Sequence, residues 1–586
     1  MIDRTQALFH HARRLFRRWR MLTLRKLLYL PRILSAQEKR FLALLLLTAL
    51  VSGGALATRA YLGLTHSVPK IGGAYSEGVV GTPRAINPIY AASDADRDLT
   101  RLIFSGLLTY DGNGLILPDL AESYEASPDG KTWTVVLAEN LFWHDEVPLT
   151  AQDVIFTVKR IQNPQYKSPF RLNWQGVEAE ALDSRTIRFT LRASYAPFVE
   201  NLTQGIIPKH RWENIDPAQA PLHELNLNPI GSGPYRVKRF KRESGGTLRW
   251  FTLNRNNDYH REGPYIKEIT LVFFQNEAEM AGAWRRGDID GFGPVSAGRA
   301  KEFSRDQTQI LSLATPRIFN IFFNEREAPV LADKKVRSAI AHALDKQRIA
   351  EEATAGGAIA TGAILPHLGG TSPQSIRDYP YDPAKSRSLL LQAGWKDENG
   401  DGIYEKKTRD KKKVSTVPLE LRLYTGNSPE LQRAASLIRD MLAEAGIKVI
   451  VEERGFTDLE SGVIRPRNFQ MLLFGQVYGY EPDPFAFWHS SQIKDPGLNI
   501  ALFKNKPADR LLEEARRATD TAKRKAKYQE FARLAAEELP AIPLYTQLYL
   551  YLLPRDIKGA ALYKISLPSD RFNQINLWYR ETKRVF

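Results

Sequence analysis

The stretch 419–451, LELRLYTGNSPELQRAASLIRDMLAEAGIKVIV, decides the fold class. Leu419, Leu421 and Leu423 alternate with other residues, the period-two pattern of a half-buried strand. Ser428 suits a helix N-cap, and Pro429 sits at the first helical position, where its missing N–H has no partner to lose. Leu431, Ala434, Ile438 and Leu442 then share one helical face, Gly446 stops the helix, and 447–451 reads as a second strand. Strand, helix and strand in so short a span predict a parallel pair with a right-handed crossover, hence an α/β fold.

Downstream, 468–492 reads NFQMLLFGQVYGYEPDPFAFWHSSQ. The apolar run 471–474 predicts another strand of the same sheet. It breaks at Gly475 into a loop carrying Tyr478, Tyr480, Glu481, Asp483 and Trp488, stiffened by Pro482 and Pro484. Open α/β sheets hold ligands beyond the carboxyl ends of their strands, so this loop is a candidate ligand lip. The competing reading is a surface loop whose aromatics pack inward.

Working outward, Ser93 and Asp96 form a capping-box pattern that opens a helix over 93–106. Alternating Ile187, Phe189 and Leu191 mark a strand, and 235–240 with 248–253 form a hairpin turning at 244–246. Further strands are expected at 266–274, 319–324 and 542–553, with helices from Asp333 and over 508–538. Residues 65–73 read as a linker.

At 586 residues the chain exceeds one ordinary domain, and 43% apolar content lets it bury more than one core. It has no cysteine, which excludes disulfides, thiolate metal sites and cysteine nucleophiles. The formal charge of +16 is uneven: residues 1–40 carry 11 Lys/Arg against Asp3 and Glu38, a net +9, leaving +7 for the rest. That excess flanks the uncharged run 41–58, FLALLLLTALVSGGALAT, so it points to a membrane and not to nucleic acid.

With Tyr61 and Leu62 this run is long enough to cross a bilayer, and the positive-inside rule sets the N-terminus in the cytoplasm. Residues 4–34 mix arginine with Leu8, Phe9, Phe16 and Trp19, a basic amphipathic pattern suited to anionic lipid. The alternative is a signal peptide cleaved after Ala57, within the small-residue segment Ala55-Leu56-Ala57.

Asp397-Glu398-Asn399-Gly400-Asp401-Gly402 carries oxygen side chains at alternate positions followed by glycine. Asp397, Asn399 and Asp401 are therefore candidate Ca²⁺ ligands, although Thr408 stands where an EF-hand needs glutamate. A solvated Asx/Gly turn is the competing reading. No other cofactor is indicated. Gly231-Ser232-Gly233 lacks a Walker lysine and leads into a strand, and neither a zinc HExxH pattern nor a nucleophile elbow occurs.

Seven segments then fall in a familiar order: NPIYAASDADRDLTRLIFSGLLTYD (87–111), PDLAESYEASPDGKTWTVVL (118–137), PLTAQDVIFTVKRI (148–161), GSGPYRV (231–237), RRGDIDG (285–291), VRSAIAHALDKQRIA (336–350) and GYEPDPFAFW (479–488). In this the chain resembles the extracytoplasmic solute-binding proteins of ABC importers, in the group that binds oligopeptides, dipeptides and nickel (family 5 of the bacterial extracellular solute-binding proteins). The resemblance implies a two-lobed periplasmic-binding-protein-like fold that closes by a hinge, here preceded by one transmembrane helix. Lobe I would be 71–110, 225–318 and 520–586, an inserted subdomain 111–224, and lobe II 319–519, after a cytoplasmic 1–40 and an anchor or signal at 41–63.

The implied function is capture of peptides for an ABC importer by a non-enzymatic, monomeric, extracytoplasmic receptor. An oligosaccharide or peptidoglycan-fragment receptor is the alternative, and an anchored hydrolase a third reading. Candidate ligand-binding residues are Asn87, Tyr90, Phe319, Asn320, Asn324, Thr425, Tyr478, Tyr480, Glu481, Asp483 and Trp488. Backbone groups at 319–324 and 478–483 would meet a peptide main chain, and Glu481 and Asp483 a cationic ligand end. Two positions depart from the family: Tyr478 stands where peptide binders often place an amine-holding Asp, and Thr425 where dipeptide binders place a carboxylate-holding Arg.

Overall fold

The computed structural model describes residues 34–243, 246–304, 306–366, 378–410 and 413–586. All but the last residue of the basic segment read at 4–34 lies outside them. Two compact units emerge, one of Met1–Lys70 with Thr582–Phe586 and one of Ile71–Glu581.

In the first unit, helix α1 spans Ala36–Leu64 and buries no residue. Ser35 caps it, and Glu38 reaches back to the Ser35 N–H at 2.9 Å. Its 29 residues give a length of about 43 Å, more than the hydrocarbon thickness of a bilayer. What the sequence presents as a linker at 65–73 contains a strand, His66–Lys70, paired with Glu581–Val585. Arg584 ties the end of α1, donating to Thr65 Oγ1 at 2.8 Å and to the Thr65 carbonyl at 2.9 Å. The partner strand lies more than 500 positions away, so no local pattern betrays it.

The second unit is organised by one 11-stranded mixed sheet. Its main strands, in chain order, are β1 (Gly72–Val80), β2 (Tyr235–Arg242), β3 (Leu248–Arg255), β4 (Ile266–Phe274) and β5 (Gly291–Phe292). They continue as β6 (Thr308–Phe323), β7 (Glu420–Gly426), β8 (Lys448–Arg454), β9 (Met471–Val477) and β10 (Ala541–Pro554). Across the sheet they run β8-β7-β9-β6-β10-β5-β1-β4-β3-β2, with Ala358–Ala360 added against β10. The 419–451 unit forms as read: β7 and β8 are parallel, Leu421 opposite Val449 and Leu423 opposite Val451, joined by the helix Pro429–Glu444 that Ser428 caps. Strand β9 joins the same sheet beside β7, with Leu423 opposite Met471.

Strands β6 and β10 run antiparallel from Thr308 opposite Pro554 to Phe322 opposite Ala541. Each crosses from one core to another: Leu313, Tyr549, Tyr551 and Leu553 belong to a core shared with β1, β3 and β4, whereas Ile321, Phe323, Ile542 and Leu544 join the core of β7–β9. The ladder slips between Ala314 and Ile318, where Pro316 offers no N–H. A separate four-stranded antiparallel sheet, ordered Ala121–Ala126, Thr132–Leu137, Thr186–Leu191, Val177–Ala181, packs its apolar face into the first of these cores. Helix 508–538 of the sequence reading is two helices, Lys506–Arg517 and Thr521–Glu538, because Asp520 caps a new start.

Candidate functional site

Helix α2 (Asp94–Ile103) presents Leu99, Leu102 and Ile103 to the core and leaves Arg97, Thr100 and Arg101 on its other face. The Ser93 box is complete, with the Ser93 N–H on Asp96 Oδ2 at 3.1 Å. The polar face of α2 lines a cavity of about 300 Å³. Further lining comes from Tyr110, from 170–174, from 200–205, from the lip Gly479–Tyr480 and from 566–570, parts of the chain far apart in sequence.

Tyr480 is the residue that closes this space. Its ring lies 4.3 Å from that of Tyr110, and its hydroxyl donates to the Lys564 carbonyl at 3.3 Å. Gly114, at φ +80°, lets the ring approach: a Cβ there would sit 2.2 Å from Tyr480 Cδ1. Next to it the Glu481 N–H donates to Glu200 Oε1 at 2.8 Å. Burial pushes Glu200 from an ordinary 4.5 up to about 7, against the Glu481 N–H, which favours its charged form.

This proton has a consequence for stability. Once Glu200 is released into solvent it binds its proton near 4.5, so forming the buried arrangement takes up a proton between pH 4.5 and about 7. The contribution is fully present below 4.5 and lost as pH rises through about 7. Glu200→Gln keeps the acceptor and removes the charge. It is expected to gain on the order of 1 kcal/mol over wild type at pH 8, discounted for the partial exposure of the site, and nothing near pH 5. Thermal unfolding across pH checks this; parallel profiles for the two proteins would refute it.

The structure distributes the other sequence candidates differently. Glu481 and Asp483, read as facing a cationic ligand end, each already hold an arginine. Arg524 Nε lies 2.6 Å from Glu481 Oε1, and Arg516 Nε and Nη2 lie 2.8 and 2.6 Å from Asp483 Oδ2. Tyr478 and Trp488 face inward: Trp488 is 0% exposed, and its Nε1–H donates to the Tyr478 hydroxyl at 3.0 Å. Thr425 is buried, donating to the Leu473 carbonyl at 3.2 Å. Asn324 is consumed by Arg467 O and the Arg326 N–H, and Asn87 by Asn226 Oδ1 and the Ile89 N–H. These five residues do structural work because each polar atom finds its partner inside the fold.

Phe319 stacks on Tyr545 at 4.9 Å. Asn320 is fully buried, donates to Ile318 O and Gln476 Oε1, and leaves its Oδ1 without a partner. The Tyr90 hydroxyl is likewise buried without a partner, and burial raises its pKa. Sequence reasoning missed Arg97, Thr100, Arg101, Tyr110 and Glu200. The available signal was the i, i+4 spacing of Arg97 and Arg101 on the polar face of a strongly amphipathic helix.

At the candidate calcium loop, carboxylate oxygens of Asp397, Asp401 and Glu405 lie within 4.8 Å of one another. Asn399 Oδ1 accepts the Asp401 N–H at 2.8 Å. Asp397 accepts from Gly400 at 2.7 Å and Gly402 at 3.0 Å, so the loop also closes as an Asx turn on its own hydrogen bonds.

Residues 116–496 match the family model described as bacterial extracellular solute-binding proteins, family 5, middle. The chain is 29% identical over 521 residues to the oligopeptide-binding protein AppA of Bacillus subtilis, covering 87% of this chain and 92% of AppA. It also superposes on the structure of that AppA in complex with a nonapeptide, with a TM-score of 0.64, 27% identity, and 87% and 99% of the two chains covered. The ABC transporter substrate-binding protein CtaP of Listeria monocytogenes gives a TM-score of 0.73 at 26% identity, covering 87% of this chain and all of CtaP.

Proposed function

This chain belongs to the bacterial extracellular solute-binding proteins of family 5, and from that membership we propose that it captures peptides between two lobes for an ABC importer. The observation that carries the reading is the cavity itself. Its lining brings together α2, 200–205, 566–570 and the lip at 479–480, and the Tyr480–Tyr110 contact lies among them. The two long strands β6 and β10 pass between the cores, and their irregularity at 314–318 is suited to a hinge. Closure would be favoured by ligand contacts made only in the closed form. The bound nonapeptide of the B. subtilis relative supports a peptide as the cargo. Helix α1 is read as a retained anchor that holds the binding domain outside the membrane while the basic N-terminal segment stays inside.

The test uses the full chain. It is expected to stay with salt-washed membranes, to need detergent for release, and to carry a peptide visible by mass spectrometry. Calorimetry with a peptide panel should then give saturable heat. Binding of oligosaccharides with no response to any peptide would replace the peptide reading by the saccharide one.

A further inference from the structure

The cavity is lined by two arginines and two acids, and one oxygen of each acid is taken up by backbone N–H groups. Asp570 Oδ2 accepts the N–H groups of Ser566 at 2.9 Å and Leu567 at 2.8 Å. Glu200 Oε1 accepts the Glu481 N–H at 2.8 Å. The arginines are held weakly. Arg97 reaches Asp94 through one contact of 3.4 Å, and that aspartate side chain is 53% exposed. Arg101 reaches Asp570 through one contact of 3.5 Å. A guanidinium carries five N–H donors, so each has several left over. Between them on α2, the buried Thr100 Oγ1 has no hydrogen-bond partner, and it lines the same cavity. Residues 97, 100 and 101 occupy neighbouring positions on one helix face. Two under-used guanidinium groups flanking a free hydroxyl form a donor-rich surface in a partly enclosed space, where a charge-assisted pair is stronger than in bulk water.

We propose that this site selects ligands that present a carboxylate to Arg97, Thr100 and Arg101, either a free C-terminal carboxyl or an acidic side chain. This rests on the reading of the cavity as the ligand cleft, and it places carboxylate recognition on α2, not at Thr425.

Calorimetry on the detergent-solubilised full chain tests it with matched short peptides: C-terminal acid against amide, and amidated peptides carrying Glu against Gln. In wild type the carboxylate member of at least one pair should bind about ten- to hundredfold tighter, with the advantage shrinking as salt rises. A gain confined to the first pair identifies the C-terminus as the source, and one confined to the second identifies the side chain. Arg97→Gln and Arg101→Gln should each erase most of the gain, and thermal unfolding within a few degrees of wild type shows that the variants are folded. Equal affinities within both pairs, or discrimination surviving both substitutions, would overturn the carboxylate assignment and leave the peptide reading standing. If no peptide binds, an oligogalacturonide and its methyl ester replace the pair. Preference for the free acid, lost in Arg101→Gln, would then keep the assignment while the peptide reading falls. No response to either saccharide would sink both.

Discussion

Arg571→Met is expected to destabilise the protein by about 3–5 kcal/mol, the loss typical when one partner of a buried ionic cluster is removed. Arg571 and Glu77 are 1% and 0% exposed. Its Nε lies 2.9 Å from Glu77 Oε1, and Nη1 and Nη2 lie 2.9 and 2.6 Å from the two oxygens of Asp98. Tyr551 and Tyr75 donate to the remaining oxygen of Glu77. The cluster joins β1, α2 and the C-terminal segment, so it fastens residues nearly 500 positions apart.

Without the guanidinium, two carboxylates share a dry site with no cation. Burial raises Asp98 from 3.8 to about 6, with Arg571 pulling it back down and Glu77 adding to the rise. A raised pKa means that its contribution is fully present below 3.8 and lost as pH rises through about 6. Removing Arg571 extends that rise, so the deficit of the variant should be larger at pH 8 than at pH 5. Adding Glu77→Gln and Asp98→Asn should recover much of the loss. Denaturant unfolding measures all three effects, and a deficit under about 1 kcal/mol at pH 8 would show that the cluster is not the fastening described.

Trp488→Ala is expected to cost a similar amount, about 3–5 kcal/mol, through the cavity left by a fully buried indole. The ring lies among Phe322, Phe503 and Phe531 at centroid distances of 6.3, 6.4 and 6.5 Å. The substitution also strips the Tyr478 hydroxyl of its donor. Trp488→Phe keeps most of the volume and loses the N–H, so its cost should be about 1 kcal/mol. The comparison separates a core role from a ligand-stacking one. With a core role, Trp488→Phe leaves ligand affinity unchanged and lowers stability slightly. A loss of affinity without a loss of stability would return Trp488 to the cleft wall.

The parts of this fold that were legible are those whose cause is local. Leucines at every second position, a serine cap before a proline and a glycine stop act within one or two turns of chain, and the 419–451 unit forms accordingly. The Ser93 box and the 235–255 hairpin follow for the same reason. The lip at 478–488 was legible as a rigid aromatic loop, but not by which of its faces meets the cavity. A strand alternates its side chains and a helix repeats them, whereas a loop has no period. Tyr478 and Trp488 turn into the core of Phe322, Phe503 and Phe531, and Tyr480 turns the other way, toward the cavity, because Tyr110 and Gly114 leave it room.

The acids of that lip teach the same lesson through charge. Glu481 and Asp483 look available in the sequence, and they are neutralised by Arg524 and Arg516 from helices that follow later in the chain. Conversely, Arg97 and Arg101 look like an ordinary solvated helix face until 200–205 and 566–570 fold over them. The sequence by itself therefore determined the α/β class, the family and the apolar N-terminal helix, because periodicity, capping and motif order are short-range or cumulative signals. Only the tertiary structure decided which polar groups are spent on the fold and which remain for a ligand, because a hydrogen bond or ion pair is settled by whichever partner arrives, and here some partners arrive from more than 500 residues away.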